Sequence, residues 1–477
     1  MVNNDRPGAF ELGDVILISY RSFDGAGTPK RLDIRNLITE FNIYESIDGS
    51  FLSGDMTLTD ATNAIQELPI TGFERIEFFF RTPGTTKGFD FSVKSGHPMF
   101  IYSLKNRQGI NPRTQIYTLK FISLEAIRNH QTRITKAFEG KIDQMIVDVC
   151  KNELKTKKDI LVEETKGTHK FVSPRVKPTT FLNLLKKNSR ANFFENSGFQ
   201  FFETAMGFNF KSFEGLFCKK DGSPRDVKAF YTPKIKNAMV TGDKDKEIYD
   251  LQSVESFKIL SQFDTLSNTA NGVFASRIIT HDAFNKTFNE VDFDYNIEYE
   301  KQNHLEQDAN GNKRSDNGIL PYFNYDKGDT FGTKNEGTIF YTSQTSKVHN
   351  DYELPENKDI VPKRVSQTLA INNLKIEITI PGTTELNAGD IVHFSLPKFG
   401  EATKEDINDQ DKYLTGRYLI SAARHHVSNL NKRHTLVLEL IKDSFNIGYP
   451  DEDTDLFTNN ELDTGEIYTA TEVDDHL

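Results

Sequence analysis

His425, His426 and His434 lie close together in the chain and are the first residues to weigh for metal chemistry. They fall on runs that alternate like β-strands, where adjacent side chains point to opposite faces, so His425 and His426 cannot share one ion without distortion. Solvent-facing strand histidines are the expectation. The stretch Asp308 to Asp316 has the Asp, Asn and Gly content of a calcium loop. Its Gly311 stands at the fourth position where an EF-hand needs the sixth, and no glutamate closes it. Cys150 and Cys218 are the only cysteines, which fits a reducing compartment with neither a disulfide framework nor a CxxC pair. Cys150 follows Ile142, Met145, Ile146 and Val149 at helical spacing, so it reads as a buried small hydrophobe. There is no P-loop, no GxSxG and no HExxH. Among 69 acidic residues some pair always lies close, and closeness alone does not make a glycosidase dyad. No catalytic, cofactor-binding or metal residue is expected, and the chain reads as a non-enzyme.

The surrounding elements are mainly strands. From Ile371 to Phe445 the runs 374–380, 388–397, 418–423 and 435–440 form an antiparallel meander bounded by turn residues. A fainter copy sits near the start, in Glu74 to Phe80, Phe100 to Leu104 and Tyr117 to Ile122. The spacing from Ser103 to Thr118 nearly equals that from Ser421 to Thr435. A second pair of phrases, Asp48-Gly49-Ser50-Phe51-Leu52-Ser53 and Asn271-Gly272-Val273-Phe274-Ala275-Ser276, supports an internal duplication. Between the copies the period becomes helical. One helix carries the Ile142 stripe, and a second begins after Pro178 with Thr179 or Thr180 as N-cap and Phe181, Leu184 and Leu185 inward. A hairpin follows over 198–211.

The expected fold class is mainly β with a smaller α/β part: two similar antiparallel β-barrels, a small α/β module and a long insertion. The expected units are a first barrel over 1–127, the α/β unit over 128–215, and a second barrel over 216–282 and 365–450. An insertion over 283–364 splits that barrel, and 451–477 is an acidic tail. Phenylalanine is abundant at 38 residues and tryptophan absent, so Phe should pack the cores. The net charge of -11 argues against specific nucleic-acid binding, which needs Lys and Arg against phosphates. No apolar run reaches the length of a membrane span, and Met1 to Gly8 has no basic start leading into an apolar stretch, so no signal peptide is expected.

Several phrases resemble the baseplate central hub proteins of contractile-tailed bacteriophages, which are related to the N-terminal barrels of type VI secretion spikes. They are Gly207-Phe208-Asn209-Phe210-Lys211-Ser212-Phe213-Glu214, Gly272 to Ser276 leading to His281-Asp282, and Ala388-Gly389-Asp390-Ile391-Val392. Gly416-Arg417-Tyr418-Leu419-Ile420, the terminal Thr435 to Leu440 and Leu68-Pro69-Ile70-Thr71-Gly72-Phe73-Glu74 add to them. The resemblance implies a homotrimer whose six barrels surround a DNA channel and join a sixfold tail tube to a threefold central spike. It implies the spike protein and the tail tube protein as partners, tape-measure and baseplate wedge proteins as further contacts, and no cofactor. It also implies a place in the virion tail baseplate after assembly in the host cytoplasm. A receptor- or carbohydrate-binding tail module is the alternative, although the usual Trp platform is missing. A cell-wall hydrolase ranks below it, for want of any catalytic signature.

Overall fold

A computed structural model describes residues 7–85, 88–194, 197–233, 252–282, 285–299, 301–306, 318, 324–326, 329–330, 338–343, 357–398 and 410–446. Strand Ser53–Asp60 buries every second residue, Gly54, Met56, Leu58 and Asp60, as a half-buried strand must. It lies in a curled sheet of order 29–33, 16–23, 75–81, 99–111, 114–123, 53–60 and 38–46. Phenylalanines cluster among its inward residues: Phe41 meets Phe78 and Phe80 edge-on, at 5.8 and 5.6 Å between ring centres. Gly54 is glycine because any Cβ there would strike the Phe121 ring and the Asn42 carbonyl.

The second half forms a circuit. Strand Ala229–Pro233 pairs with Ile391–Phe394, which pairs with Gly416–Ser428, then Arg433–Lys442, Leu374–Pro381 and Ser256–Ser261. Ser253–Val254, just ahead of the last strand, returns to pair with Thr232 and Pro233. Strand 229–233 runs parallel to both its neighbours, so this sheet is mixed where a wholly antiparallel one was expected. Ile376, Ile378, Phe394, Tyr418, Leu436 and Leu438 fill its core.

The two halves share one strand order. Strands 75–81, 99–111, 114–123, 53–60 and 38–46 correspond in turn to 391–394, 416–428, 433–442, 374–381 and 256–261, while 229–233 takes the position of 16–23 in the opposite direction. The long hairpins agree in register: Ile101 faces Phe121 and Ser103 faces Lys120, while Ile420 faces Leu440 and Ala422 faces Glu439. Each therefore carries a bulge at the same place, Tyr102 in one and Ser421 in the other. The turns before them agree too. Phe73 donates its N–H to the Ile101 carbonyl as Gly389 does to that of Ile420, and both have positive φ, 67° and 88°.

This correspondence corrects the alignment of the sequence phrases. Strand 391–394 occupies the place of 75–81, and 374–381 that of 53–60, so the strand that follows the phrase 271–276, Ala275–Asp282, is not the counterpart of the strand that follows 48–53. Period alone marks a strand but not its neighbours, so two alternating runs are interchangeable until pairing is known. The short connection 47–52 corresponds to the whole of 262–373. Within it Ala275–Asp282 pairs with Thr287–Asp294 and Ile339–Ser343 in a three-stranded sheet, and helix Asn357–Ile371 packs beside them.

The α/β unit sits against both barrels. Helix Ile142–Asp148 buries Ile142, Met145 and Ile146 as expected. Helix Pro178–Asn188 is capped by the backbone of Lys177 and has Pro178 in its first turn, so neither Thr179 nor Thr180 is the cap. It buries Phe181, Leu182 and Leu185, while Leu184 faces out. One hydrophobic cluster runs from this unit, through Phe202 and Leu216, to Ile47 of the first barrel and to Ala388, Leu419 and Ile441 of the second.

Candidate assembly interface

Strand Gly416–Ser428 binds the barrels together. Gly416 to Leu419 pair with 391–394 inside the second barrel, while Ala422 to Ser428 pair with Ser46 to Glu40 of the first. The bulge at Ser421 separates the two pairings, turning the strand from one partner toward the other. On this junction Arg424 Nε donates 3.0 Å to Asn42 Oδ1, which also lies 2.9 Å from His426 Nδ1.

Buried charge fixes the α/β unit in the angle. Both oxygens of Glu45, on strand 38–46, accept backbone N–H groups: Ala205 at 2.7 Å from the α/β hairpin and Ala388 at 2.9 Å from the second barrel. One side chain thus ties three units. Burial, reinforced by Asp390 and Glu203, lifts its carboxyl to about 7. Lys158, fully buried, donates 2.7 Å to Glu125 Oε2 and also to Glu203 Oε1. Burial opposes that charge, yet Glu203 and Glu125 together hold the ammonium above its ordinary range. Glu203 in turn accepts the Leu52 N–H at 2.9 Å and the Ser123 hydroxyl at 2.8 Å. On the far side, the His304 ring lies 2.8 Å from Asp443 Oδ2, and Lys442 donates 3.0 Å to Glu306. These buried carboxylates are engaged in bonds that hold the chain's own elements together.

The histidines depart from expectation. His425 and His434 are buried rather than solvent-facing, because strands 416–428 and 433–442 turn both rings inward between Phe80 and Phe89. His425 Nδ1 lies 3.2 Å from His434 Nε2, and burial depresses both rings, His425 to about 3. His426 points the other way, as alternation requires. Cys150 and Cys218 are both buried, and burial pushes the Cys150 thiol up. The calcium-like stretch, apart from the measure of its sequence, lies outside the described residues, as does the acidic tail. The sequence reading missed Glu45 and Lys158. Their only signal was an acid within an alternating strand and a lysine beside apolar Ile160 and Leu161.

Among the described residues, two strands form fewer ladders than their counterparts do. Residues 103–111 pair only with 114–120 among the described residues, although the equivalent 422–428 also holds 38–46. Among the described residues strand 256–261 forms a ladder with 374–381, where the equivalent 38–46 forms one with 416–428 as well as with 53–60. Beside the first of these strands lies a groove of about 720 Å³, lined by Phe73, Ile101, Tyr102, Ile122 and Ile127. Phe73 is 59% exposed there in a left-handed conformation that a bulky residue rarely adopts. Beyond the second stand Phe263, 72% exposed, and Leu266, 84% exposed.

The fold has known counterparts. A tail protein from Neisseria meningitidis MC58 superposes with a TM-score of 0.51 at 9% identity, over 91% of this chain and 97% of that one. The chain has the fold of a phage tail protein. The 43 kDa tail protein of prophage MuSo2 from Shewanella oneidensis aligns at TM-score 0.48 and 10% identity, over 91% of this chain and 98% of that one. A type VI secretion component from E. coli, c3393, aligns at 0.40 and 9%, over 86% and 75%. No protein-family model and no curated protein matches the chain. At 9% identity the likeness to the Neisseria tail protein is one of fold.

Proposed function

We propose that this chain is the structural central hub of a contractile phage baseplate. In this reading three copies form a ring, and their six barrels give pseudo-sixfold symmetry toward the tail tube and threefold symmetry toward the spike. The observation that carries it is the pair of barrels with one strand order and one bulge position, fused edge to edge within a single chain. A near-rigid doublet of like units is what converts threefold into sixfold geometry. The tail-protein fold over nearly the whole chain supports the setting. The buried charges support a scaffold without catalysis, since each is engaged between elements of the chain. In this reading the units are the first barrel to residue 127, the α/β unit over 128–215, the interrupted second barrel and the tail over 451–477. Partners are the spike and tube proteins, and the site of action is the virion tail after assembly in the host cytoplasm.

Light scattering on the purified chain, alone and mixed with the spike protein of the same genome, tests the proposal. Three copies of the 54.4 kDa chain, about 163 kDa, are expected. A chain that stays at 54.4 kDa in both samples overturns it.

A further inference from the structure

Charge is unevenly placed along the chain. Of the net -11, residues 451–477 alone carry -10, from ten Asp and Glu with no Lys or Arg among them. Residues 128–190 hold fifteen Lys and Arg against seven Asp and Glu, a net of +8. The acidic stretch is not polar throughout: Leu456-Phe457 follows Asp455, and Ile467-Tyr468 follows Glu466. Such a segment is complementary to a surface that combines an apolar trough with cations at its rim.

The groove between the first barrel and the α/β unit has both. Phe73, Ile101, Ile122 and Ile127 make its apolar wall, and none of the residues lining it is acidic. Its volume of about 720 Å³ is in the range of sites that enclose a ligand. Phe73 holds its ring toward solvent from a left-handed backbone, φ 67°, and strain of this kind is characteristic of ligand clamps. At the α/β end stands His130, whose Nδ1 lies 3.4 Å from Lys177 Nζ. Arg133 donates to the Thr132 and His130 carbonyls at 2.9 and 3.3 Å. Among the described residues neither Lys177 nor Arg133 meets a carboxylate. The acids next to the groove in the chain are already engaged: Glu74 accepts the Thr71 and Gly72 N–H groups at 2.7 and 2.8 Å, and Glu125 binds Lys158.

We infer that the acidic segment 451–477 of the same chain occupies this groove, with an aromatic side chain against Phe73 and Ile127 and carboxylates at His130, Lys177 and Arg133. Reach permits it. The 31 residues from Ile447 to Leu477 span about 100 Å when extended, more than a chain of this size is across. A tethered segment meets its site at an effective concentration of about millimolar, so a modest intrinsic affinity fills it. The inference goes beyond the ring proposed above and does not depend on it, since one copy supplies both the groove and its occupant.

A labelled peptide of residues 451–477, added to the full chain and followed by fluorescence anisotropy, tests it. In a neutralised form of the full chain the ten acids of 451–477 become their amides, with Phe457→Ser and Tyr468→Ser. The neutralised chain is expected to bind the peptide, and the wild-type chain to exclude it at the same concentration. Within the neutralised chain Phe73→Asp removes an exposed ring at a backbone angle that Asp tolerates, so the circular dichroism spectrum should not change. It should weaken peptide binding about 30-fold, as the loss of an aromatic anchor does. Lys177→Glu should weaken it several-fold, and so should added salt. Peptide that binds neither form overturns the inference. So does binding to the neutralised chain that ignores both Phe73→Asp and Lys177→Glu, which places the site elsewhere, and so does equal binding to wild type, which shows the groove open. If no form binds peptide and Phe73→Asp lowers a 163 kDa mass to 54.4 kDa, another copy covers the groove; that overturns the inference and leaves the hub reading standing. The expected peptide results on a chain that light scattering finds monomeric with and without the spike sustain the inference and overturn the hub reading.

Discussion

Replacing Glu45 by glutamine probes the energies that meet at the junction of the three units. Both carboxylate oxygens accept backbone N–H groups, from Ala205 and Ala388, so an amide must aim its NH2 at one of these donors. With the wild-type carboxyl protonated, at the acid end, the variant is expected to be less stable by about 1–3 kcal/mol, the cost of an unpaired buried N–H. Burial raises the wild-type carboxyl from 4.5 to about 7, so between those values the folded chain holds a proton that the unfolded chain has released. Wild-type stability therefore falls as pH rises through this window. At about 1.4 kcal/mol per pH unit, the fall due to Glu45 is about 3 kcal/mol. Glutamine does not titrate, so the gap between wild type and Glu45→Gln should close as pH rises from about 4.5 to about 7. Urea unfolding followed by far-UV circular dichroism measures it, since the chain has no Trp for fluorescence. A gap that stays constant or widens with rising pH refutes the reasoning. Comparing the two proteins at each pH cancels the shared titrating groups that do not interact with Glu45.

Lys158→Met strands Glu125 and Glu203 in the interior without their cation. Removing one partner of such a cluster costs about 3–5 kcal/mol, read as a lower urea midpoint, and an unchanged midpoint argues against the buried network. His425 and His434 work on pH in the opposite sense from Glu45. Their folded values lie below the ordinary 6.5, so the unfolded state takes up protons first and stability is lost as pH falls below about 6.5. His425→Leu should therefore flatten the acid limb of the stability profile, and an unaltered limb would place its origin elsewhere. Cys150 and Cys218 should resist a thiol reagent in the native chain and react together on unfolding. Rapid labelling under native conditions would show that the core around Cys150 opens locally.

Much of the strand content was legible because strands that curl around a core alternate, as Ser53–Asp60 and Thr114–Ser123 do. The helical stripe of Ile142, Met145 and Ile146 was equally plain. On the next helix the spacing does not separate Leu182, which is buried, from Leu184, which faces out, because either fits beside Phe181 and Leu185 until the helix's angle to the neighbouring sheet is set. The duplication was visible as an order of phrases, yet its true alignment was not. Hydrogen bonds between strands far apart in the chain decided that 374–381 stands where 53–60 does.

By itself the sequence determined strand or helix at many positions, the Phe-rich cores, the lack of any recognised catalytic motif and the presence of a repeated unit. These follow from side-chain period and composition, which act locally. Only the tertiary structure decided which strands pair across the two halves, why His425 and His434 face inward, and that Glu45 and Lys158 sit between units rather than in water. Those properties depend on what lies opposite a residue across a sheet or a junction. For Glu45 the partners are 160 and 343 residues away, a separation that no local pattern records.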